Sequence, residues 1–269
     1  MCRMSALAAT ALALQLAACP ALAAAPEKPA PAAAAPRKAT AQERAQVARL
    51  DPLARAAFWA READVDAADP EAGVQLAQAL RQLGRYDDAV QAAERVLVVA
   101  PANVEALLEA ARAHIGRGQG FYAVDPARRA QAAAPRDWRA PALLGVAYEQ
   151  ASRHDEALAA HRQALALAPE NPIVLGNLGL YYAARGQTAE AETLLRQAAA
   201  KPDAPIAVRQ NLALVVGLSG RLDEAEKLAR QDLPPEIVAA NMAWLRSAQP
   251  TSATAGASAR SWESLQRAQ

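Results

Sequence analysis

The chain has 269 residues, with 29 lysines and arginines against 28 aspartates and glutamates, which gives a formal net charge of +1. A charge this small excludes the strongly basic surface with which proteins bind nucleic acid, so we expect no nucleic-acid partner. Both cysteines, Cys2 and Cys19, lie near the N-terminus, and the rest of the chain therefore has no disulfide to stabilise it.

The N-terminus has the pattern of an export signal. Arg3 precedes a mostly apolar run from Ala6 to Ala18, which is shorter than the about 20 residues of a membrane-spanning helix. The run ends in Leu16-Ala17-Ala18-Cys19, which resembles the bacterial lipobox. That resemblance implies a lipoprotein signal peptide at 1–18, cleavage before Cys19 and lipidation of this cysteine, which would anchor the protein to a membrane.

Two features of the following residues bear on processing and location. Ala21-Leu22-Ala23 is the small-residue pattern of an ordinary signal-peptidase site, and cleavage after Ala23 stays open as an alternative. Pro20 stands where an aspartate would retain a lipoprotein at the inner membrane. The expected location is therefore the periplasmic face of the outer membrane.

The next segments predict a tether and a cap. Residues 19–40 are mostly alanine and proline, a composition that favours extended polyproline geometry rather than a core. Residues 41–69 predict N-terminal capping helices, with a break at Asp51-Pro52. Phe58 and Trp59 are expected to pack onto the helices that follow.

Residues 70–239 contain an internal repeat with a period of 34 residues. One column holds glycine or, once, serine: Gly84, Gly118, Ser152, Gly186, Gly220. Five residues later stands an alanine each time: Ala89, Ala123, Ala157, Ala191, Ala225. The period predicts five repeats at 70–103, 104–137, 138–171, 172–205 and 206–239.

Each repeat predicts a helical hairpin. Apolar or small residues at positions four, seven, eight and eleven form one stripe of a first helix. The glycine ends this helix because glycine enters the left-handed region without a Cβ penalty, and carboxylates then begin a second helix. The alanine and a small eighth residue allow the two helices to approach closely. In the second repeat, Asp125 and Pro126 predict a second helix that restarts late.

These columns resemble the tetratricopeptide repeat. The resemblance implies an all-α, right-handed superhelical solenoid of about five repeats with N- and C-terminal capping helices, and a role in protein docking. Pro234-Pro235-Glu236 predicts the start of the C-terminal capping helix at 235–247. Residues 248–269 are polar and small, and predict a disordered tail.

The sequence contains no pattern of an enzyme or cofactor site. Phosphate loops, nucleophile elbows, zinc-ligand motifs and dinucleotide fingerprints are lacking, so we expect no catalytic residue, no metal ligand and no cofactor. The histidines His114, His154 and His161 occupy aromatic columns of the repeat and are expected to be packing residues.

The candidate site is the groove that first helices line in this repeat family. Its contact positions are two, five, six, nine, twelve and thirteen of each repeat. Asn177 and Asn211 share position six, where they could pair with the backbone of an extended peptide or simply face solvent. The other candidates are the apolar Ile173, Leu180 and Leu214 and the charged Glu105, Arg112 and Arg139.

The segments beside the repeats carry a narrower resemblance. Pro52 to Glu62, Asp232-Leu233-Pro234 and Ala240 to Arg246 resemble the tetratricopeptide lipoprotein of the tight-adherence (Tad, or Flp) pilus system. The resemblance implies a non-enzymatic periplasmic scaffold that binds proteins of the pilus machinery through its groove and assists pilus assembly or outer-membrane passage. The alternatives are a secretin pilotin and an adaptor for peptidoglycan hydrolases. The sequence does not specify an oligomeric state.

Overall fold

The computed structural model describes residues 37–248, and this part of the chain folds into thirteen α-helices without a strand. The helices are α1 (Ala41–Val47), α2 (Pro52–Val65), α3 (Pro70–Gln82), α4 (Tyr86–Val99), α5 (Val104–Gly116), α6 (Gly120–Ala133), α7 (Arg139–Gln150), α8 (His154–Leu167), α9 (Pro172–Ala183), α10 (Thr188–Ala199), α11 (Ile206–Leu218), α12 (Leu222–Ala229) and α13 (Pro235–Ala248). The all-α solenoid predicted from the repeat is confirmed. The signal peptide, Cys19, nearly all of the tether and the predicted tail from residue 249 lie outside the described residues.

Helices α3 to α12 form five antiparallel hairpins that stack in chain order. Each first helix packs against its own second helix, against the preceding second helix and against the neighbouring first helix. The backbones of successive second helices stay apart throughout residues 37–248, although long polar side chains bridge them, as Gln131 of α6 does by donating to Gln163 of α8 at 2.9 Å. Because only the first helices approach one another closely along their backbones, they line the inner, concave side of the array, and the second helices lie on the outside.

The turn inside each hairpin has the backbone conformation that the sequence predicts. Gly84, Gly118, Gly186 and Gly220 have φ between 72° and 88°. Ser152 fills the same place in the third hairpin with φ 59° and is the one non-glycine residue with positive φ among the described residues. This serine therefore adopts a conformation that its Cβ disfavours.

The small residues of the repeat lie where the two helices of a hairpin meet. All five alanines of the second column are fully buried: Ala89, Ala123, Ala157, Ala191, Ala225. Position eight shows the same restriction, because a Cβ at Gly179 would lie 2.9 Å from Leu195 Cγ and one at Gly145 would overlap the ring of His161. The predicted reason for the small residues, close helix approach, is confirmed.

Helix α6 corrects one expectation. Pro126 does not restart the second helix of the second hairpin, because α6 runs unbroken from Gly120 to Ala133. Proline removes one backbone hydrogen bond within the helix, to the carbonyl of the exposed Tyr122. The continuous helix buries Ala123 completely on the same face as Ala127 and Ala130, and a helix that began at Pro126 would leave Ala123 outside it.

At the N-terminal end, α2 packs on α3 with Trp59 buried at 4% exposure and Phe58 edge-on to it, their ring centres 5.1 Å apart. Arg44 of α1 links this helix to α2 and to the start of α3 through ion pairs with two buried carboxylates. Its guanidinium Nη2 lies 2.9 Å from Glu62 Oε2 and 2.6 Å from Asp69 Oδ2. The Ala39 N–H also donates to Glu62, so the segment before α1 is held against α2. We call Arg44, Glu62 and Asp69 the N-terminal ion cluster.

At the C-terminal end, the fifth second helix, α12, has only eight residues, and α13 follows from Pro235. Counted from Pro235, the buried Val238, Met242 and Leu245 occupy positions four, eight and eleven, the packing positions of a first helix. Helix α13 contacts α11 and α12, as a sixth first helix would. It therefore covers the apolar end of the fifth hairpin.

Candidate protein-docking surface

The concave surface is formed by the outward residues of the first helices α3, α5, α7, α9 and α11. Equivalent residues of adjacent helices are close neighbours: Arg139 and Glu105 share position two and form two hydrogen bonds of 2.7 and 3.0 Å. The surface divides by charge into two parts.

The part on α3, α5 and α7 is charged, and its charges pair within the chain. Glu109, at 4% exposure, accepts hydrogen bonds from Arg81 Nε at 2.8 Å and from Arg112 Nη1 at 2.6 Å. Arg139 contacts both Glu105 and Asp137. Hydrogen bonds from Arg139 lower the pKa of Asp137 below its ordinary value. The role of Glu105, Arg112 and Arg139 in binding a partner stays a prediction. Within the chain, Arg139 and Glu105 join α7 to α5, whereas Arg112 pairs with Glu109 of its own helix.

A further pair, His161 and Glu149, joins the concave surface to the interior. His161 on α8 is buried at 1% exposure, and its Nε2 lies 2.6 Å from Glu149 Oε1 at position twelve of the third repeat. The missing side chain of Gly145 makes room for the imidazole ring. The sequence did not predict this pair, because the two residues belong to different helices and the column of His161 holds only alanine or leucine in the other repeats.

The part on α9 and α11 is free of charge. We define the uncharged strip by the contact positions of these two helices: Ile173, Gly176, Asn177, Leu180, Ala183, Ala184, Ala207, Gln210, Asn211, Leu214, Gly217, Leu218. Ile173 and Leu218 are 43% and 40% exposed. The half-buried amides of Asn177 and Asn211 have no hydrogen-bond partner within residues 37–248, so their donors and acceptors are available.

The described residues contain no cluster of histidine, cysteine, aspartate or glutamate that could hold a metal ion. His114 is half-buried and stacks on Tyr122 with ring centres 5.9 Å apart, and burial lowers its pKa. His154 differs from the expectation of a packing residue, because it lies exposed at the start of α8, with Nδ1 2.7 Å from Arg185 Nη2.

None of the helices in residues 37–248 has the length and apolar character required to cross a membrane.

The sequence of these hairpins matches models of a known protein family. Three family models described as tetratricopeptide repeat match residues 70–113, 123–172 and 148–214, which together make up half of the chain. The chain is a tetratricopeptide repeat protein. Its stacked hairpins are those of a protein–protein interaction scaffold.

Solved structures of other repeat proteins are similar. A thermophilic tetratricopeptide repeat protein of Thermus thermophilus is 28% identical, with a TM-score of 0.60, over 66% of this chain and 99% of that one. MamA of Desulfovibrio magneticus is 25% identical, with a TM-score of 0.51, over 59% and 89% of the two chains. A repeat protein of Parabacteroides merdae shares the fold at 12% identity, with a TM-score of 0.63, over 76% and 80%. No protein with a curated description matches the chain.

Proposed function

We propose that this protein is a lipid-anchored periplasmic scaffold whose uncharged strip binds an extended segment of a protein of the tight-adherence pilus machinery. The observation that carries the binding site is the pair Asn177 and Asn211, two amides without partners in the described structure and set among apolar side chains. An amide in such a place can donate to a peptide carbonyl and accept from a peptide N–H.

The repeat spacing supports an extended partner. Packed helices lie about 8 to 10 Å apart, so one asparagine follows the other at roughly this distance across α9 and α11. An extended segment crossing the two helices would present a backbone group to each asparagine and place apolar side chains against Leu180 and Leu214. A charged side chain would lose water there without finding a counter-charge, which disfavours it.

The lipid anchor and the pilus partner rest on sequence. They depend on Leu16-Ala17-Ala18-Cys19 and on the resemblance of the segments now seen as α2 and α13. A pilotin or an adaptor for peptidoglycan hydrolases would use the same strip with another partner, so the identity of the bound protein separates these functions.

The test replaces both asparagines, Asn177→Ala and Asn211→Ala. Each backbone hydrogen bond contributes about 0.5 to 1.5 kcal/mol, so affinity for the partner should fall by about one to two orders of magnitude. We expect a stable protein in normal amounts that no longer supports pilus-dependent adherence, measured by surface attachment and by recovery of the cross-linked partner.

The matched control is Gln163→Ala with Gln197→Ala, two exposed amides on the outer helices α8 and α10. Adherence and partner recovery should stay normal in this control. If the asparagine variant also adheres normally and recovers the same partner, the uncharged strip is not the binding site. Recovery of cell-wall hydrolases in place of pilus components would support the adaptor.

A further inference from the structure

The outer face of the array has a regular pattern, and α2 departs from it. Positions two, six and nine of each second helix, counted from its first residue, face solvent. In α4, α6, α8, α10 and the eight-residue α12, which has no position nine, at least one of these positions is charged: Asp87, Gln91, Glu94; Phe121, Asp125, Arg128; Asp155, Ala159, Arg162; Ala189, Thr193, Arg196; Asp223, Lys227. These helices therefore present a polar face to water.

Helix α2 has the length and burial of such a second helix. Like α4 it has 14 residues, and its buried Ala56, Trp59 and Glu62 fall at positions five, eight and eleven, which are also buried in α4. Its positions two, six and nine, however, are the apolar Leu53, Ala57 and Ala60. Leu53 is 66% exposed, so a helical stripe that is polar elsewhere is apolar and open here.

This stripe borders an open channel of about 440 Å³ between α2 and α4. The two helices do not touch, since no Cα of α2 lies within 8 Å of one in α4. Leu76 and Leu80 of α3 form the floor, and α4 supplies the opposite wall. A shallower depression continues along α4 past Arg95 to Val98, which is 80% exposed.

The depression toward Val98 is lined by Glu94 as well as Arg95, whereas the channel itself has one more positive than negative side chain. Three charged side chains line it: Arg85, Asp88 and Arg95. Arg85 and Asp88 pair at 2.7 Å, whereas Arg95 has no ion pair among the described residues. A carboxylate of a partner placed opposite Arg95 would pair with the one charge of the channel that has no ion pair within the described chain.

We propose that this channel binds an amphipathic helix of a protein partner, with apolar residues on Leu53, Ala57 and Ala60 and an acidic residue against Arg95. The stripe at i, i+4 and i+7 is the pattern that a second helix packs against, and helix-in-groove binding uses the same spacing on the partner. Leu53 to Ala60 covers about 10 Å, and the continuation to Val98 lengthens the seat to about three helical turns. The site lies on the outer helices and is independent of the uncharged strip.

The test measures binding of a labelled 16-residue helical peptide to the purified full-length chain by fluorescence anisotropy. The peptide carries leucines at i, i+4, i+7 and i+11 and glutamates on one flank, and a second version carries lysines there. The chain should prefer the glutamate peptide. Leu53→Asp, which installs the residue that α4 has at this position, should weaken binding at least tenfold, and Arg95→Glu should reverse the preference toward the lysine peptide.

The control is Phe121→Asp, the same position on α6 and also exposed, which should leave binding unchanged. Asn177→Ala with Asn211→Ala should bind the peptide as the unaltered chain does. Binding that ignores Leu53→Asp and Arg95→Glu would overturn the proposal, as would no binding of either peptide. A chain that dimerises in sedimentation and becomes monomeric with Leu53→Asp would show a contact between copies and would also overturn it.

Discussion

At the scale of single residues, the hairpin turn gives a direct test of the repeat. Ser152 holds a left-handed conformation that the other four turns assign to glycine. Ser152→Gly should raise the free energy of unfolding by about 0.5 to 1 kcal/mol, because glycine adopts this conformation without a Cβ penalty. Urea unfolding measures the change.

The reciprocal variant, Gly186→Ser, should lower stability by a similar amount. A Cβ at Gly186 would meet no atom within 4 Å, so the substitution changes backbone strain and adds no clash. The free energy of unfolding should therefore rise in Ser152→Gly and fall in Gly186→Ser. A Gly186→Ser variant that is more stable than the unaltered chain would contradict the turn geometry.

The turn glycines were predictable from the sequence because the cause is local: one residue must have positive φ at a fixed place in each period. The position of His154 was not predictable, because its column holds the aromatic Tyr86 in the first repeat, whereas its own side chain lies exposed at the start of α8. The position of a residue within the repeat predicts its place in the helix. Whether its side chain is buried depends on the neighbouring helix.

At the scale of helices, the N-terminal ion cluster fixes α1 on α2. Burial alone raises the pKa of Asp69, but hydrogen bonds from Arg44 and Lys38 outweigh it and lower the pKa to about 2. The pKa of Glu62 is also lowered, by hydrogen bonds from Ala39 and Arg44 that overcome its burial. Both carboxylates bind protons less readily in the folded state, so their stabilisation is full above a pH of about 5, where both are ionised in the unfolded chain, and is lost as the pH falls toward 2.

Arg44→Met should therefore destabilise the protein by about 3 kcal/mol at pH 7, since it removes the guanidinium from the buried Glu62 and leaves Asp69 with the exposed Lys38 alone. The difference from the unaltered chain should shrink between pH 5 and pH 2.5 as the carboxylates become protonated, measured by urea unfolding at each pH. Arg61→Met, on the exposed side of the same region at 62% side-chain exposure, is the control and should change little. The Arg44 guanidinium also lies over the Trp59 ring, 5.4 Å from its centre. A pH-independent loss of stability in Arg44→Met would mean that this contact, and not charge pairing, is the cause.

The first helices begin at residues 70, 104, 139, 172 and 206, close to the 34-residue period, but the N-terminal ion cluster follows no period. Arg44 lies 18 residues from Glu62 and 25 from Asp69, and no repeat relates them. Helix α6 shows the opposite error, because proline statistics predicted a break where three buried alanines hold the helix together. In α6, the burial of the alanines outweighed the helix-breaking preference of proline. In the N-terminal ion cluster, the contacts join residues too far apart in the sequence to be predicted from it.

At the scale of the whole molecule, the array has an inner surface and an outer face with different chemistry. The repeat register located the asparagines and apolar residues of the uncharged strip, because equivalent positions of first helices must face the same side. It did not reveal that the charges beside the strip pair with one another, nor that α2 has an apolar outer face. Both depend on how neighbouring helices are placed, which the periodic pattern alone does not give.

The last prediction concerns where the array acts, and it rests on the proposed lipid anchor. Acyl chains contribute about 0.8 kcal/mol per buried methylene, so several chains at Cys19 would hold a folded domain at the membrane almost permanently. Cys19→Ser should move the protein from the membrane fraction to the soluble periplasm without changing its thermal unfolding. Cys2→Ser is the matched control, because residue 2 would leave with the signal peptide and fractionation should not change. If the unaltered protein is already soluble and its mature N-terminus is Ala24, cleavage follows Ala21-Leu22-Ala23, and the scaffold works as a free periplasmic protein that must reach its partner by diffusion.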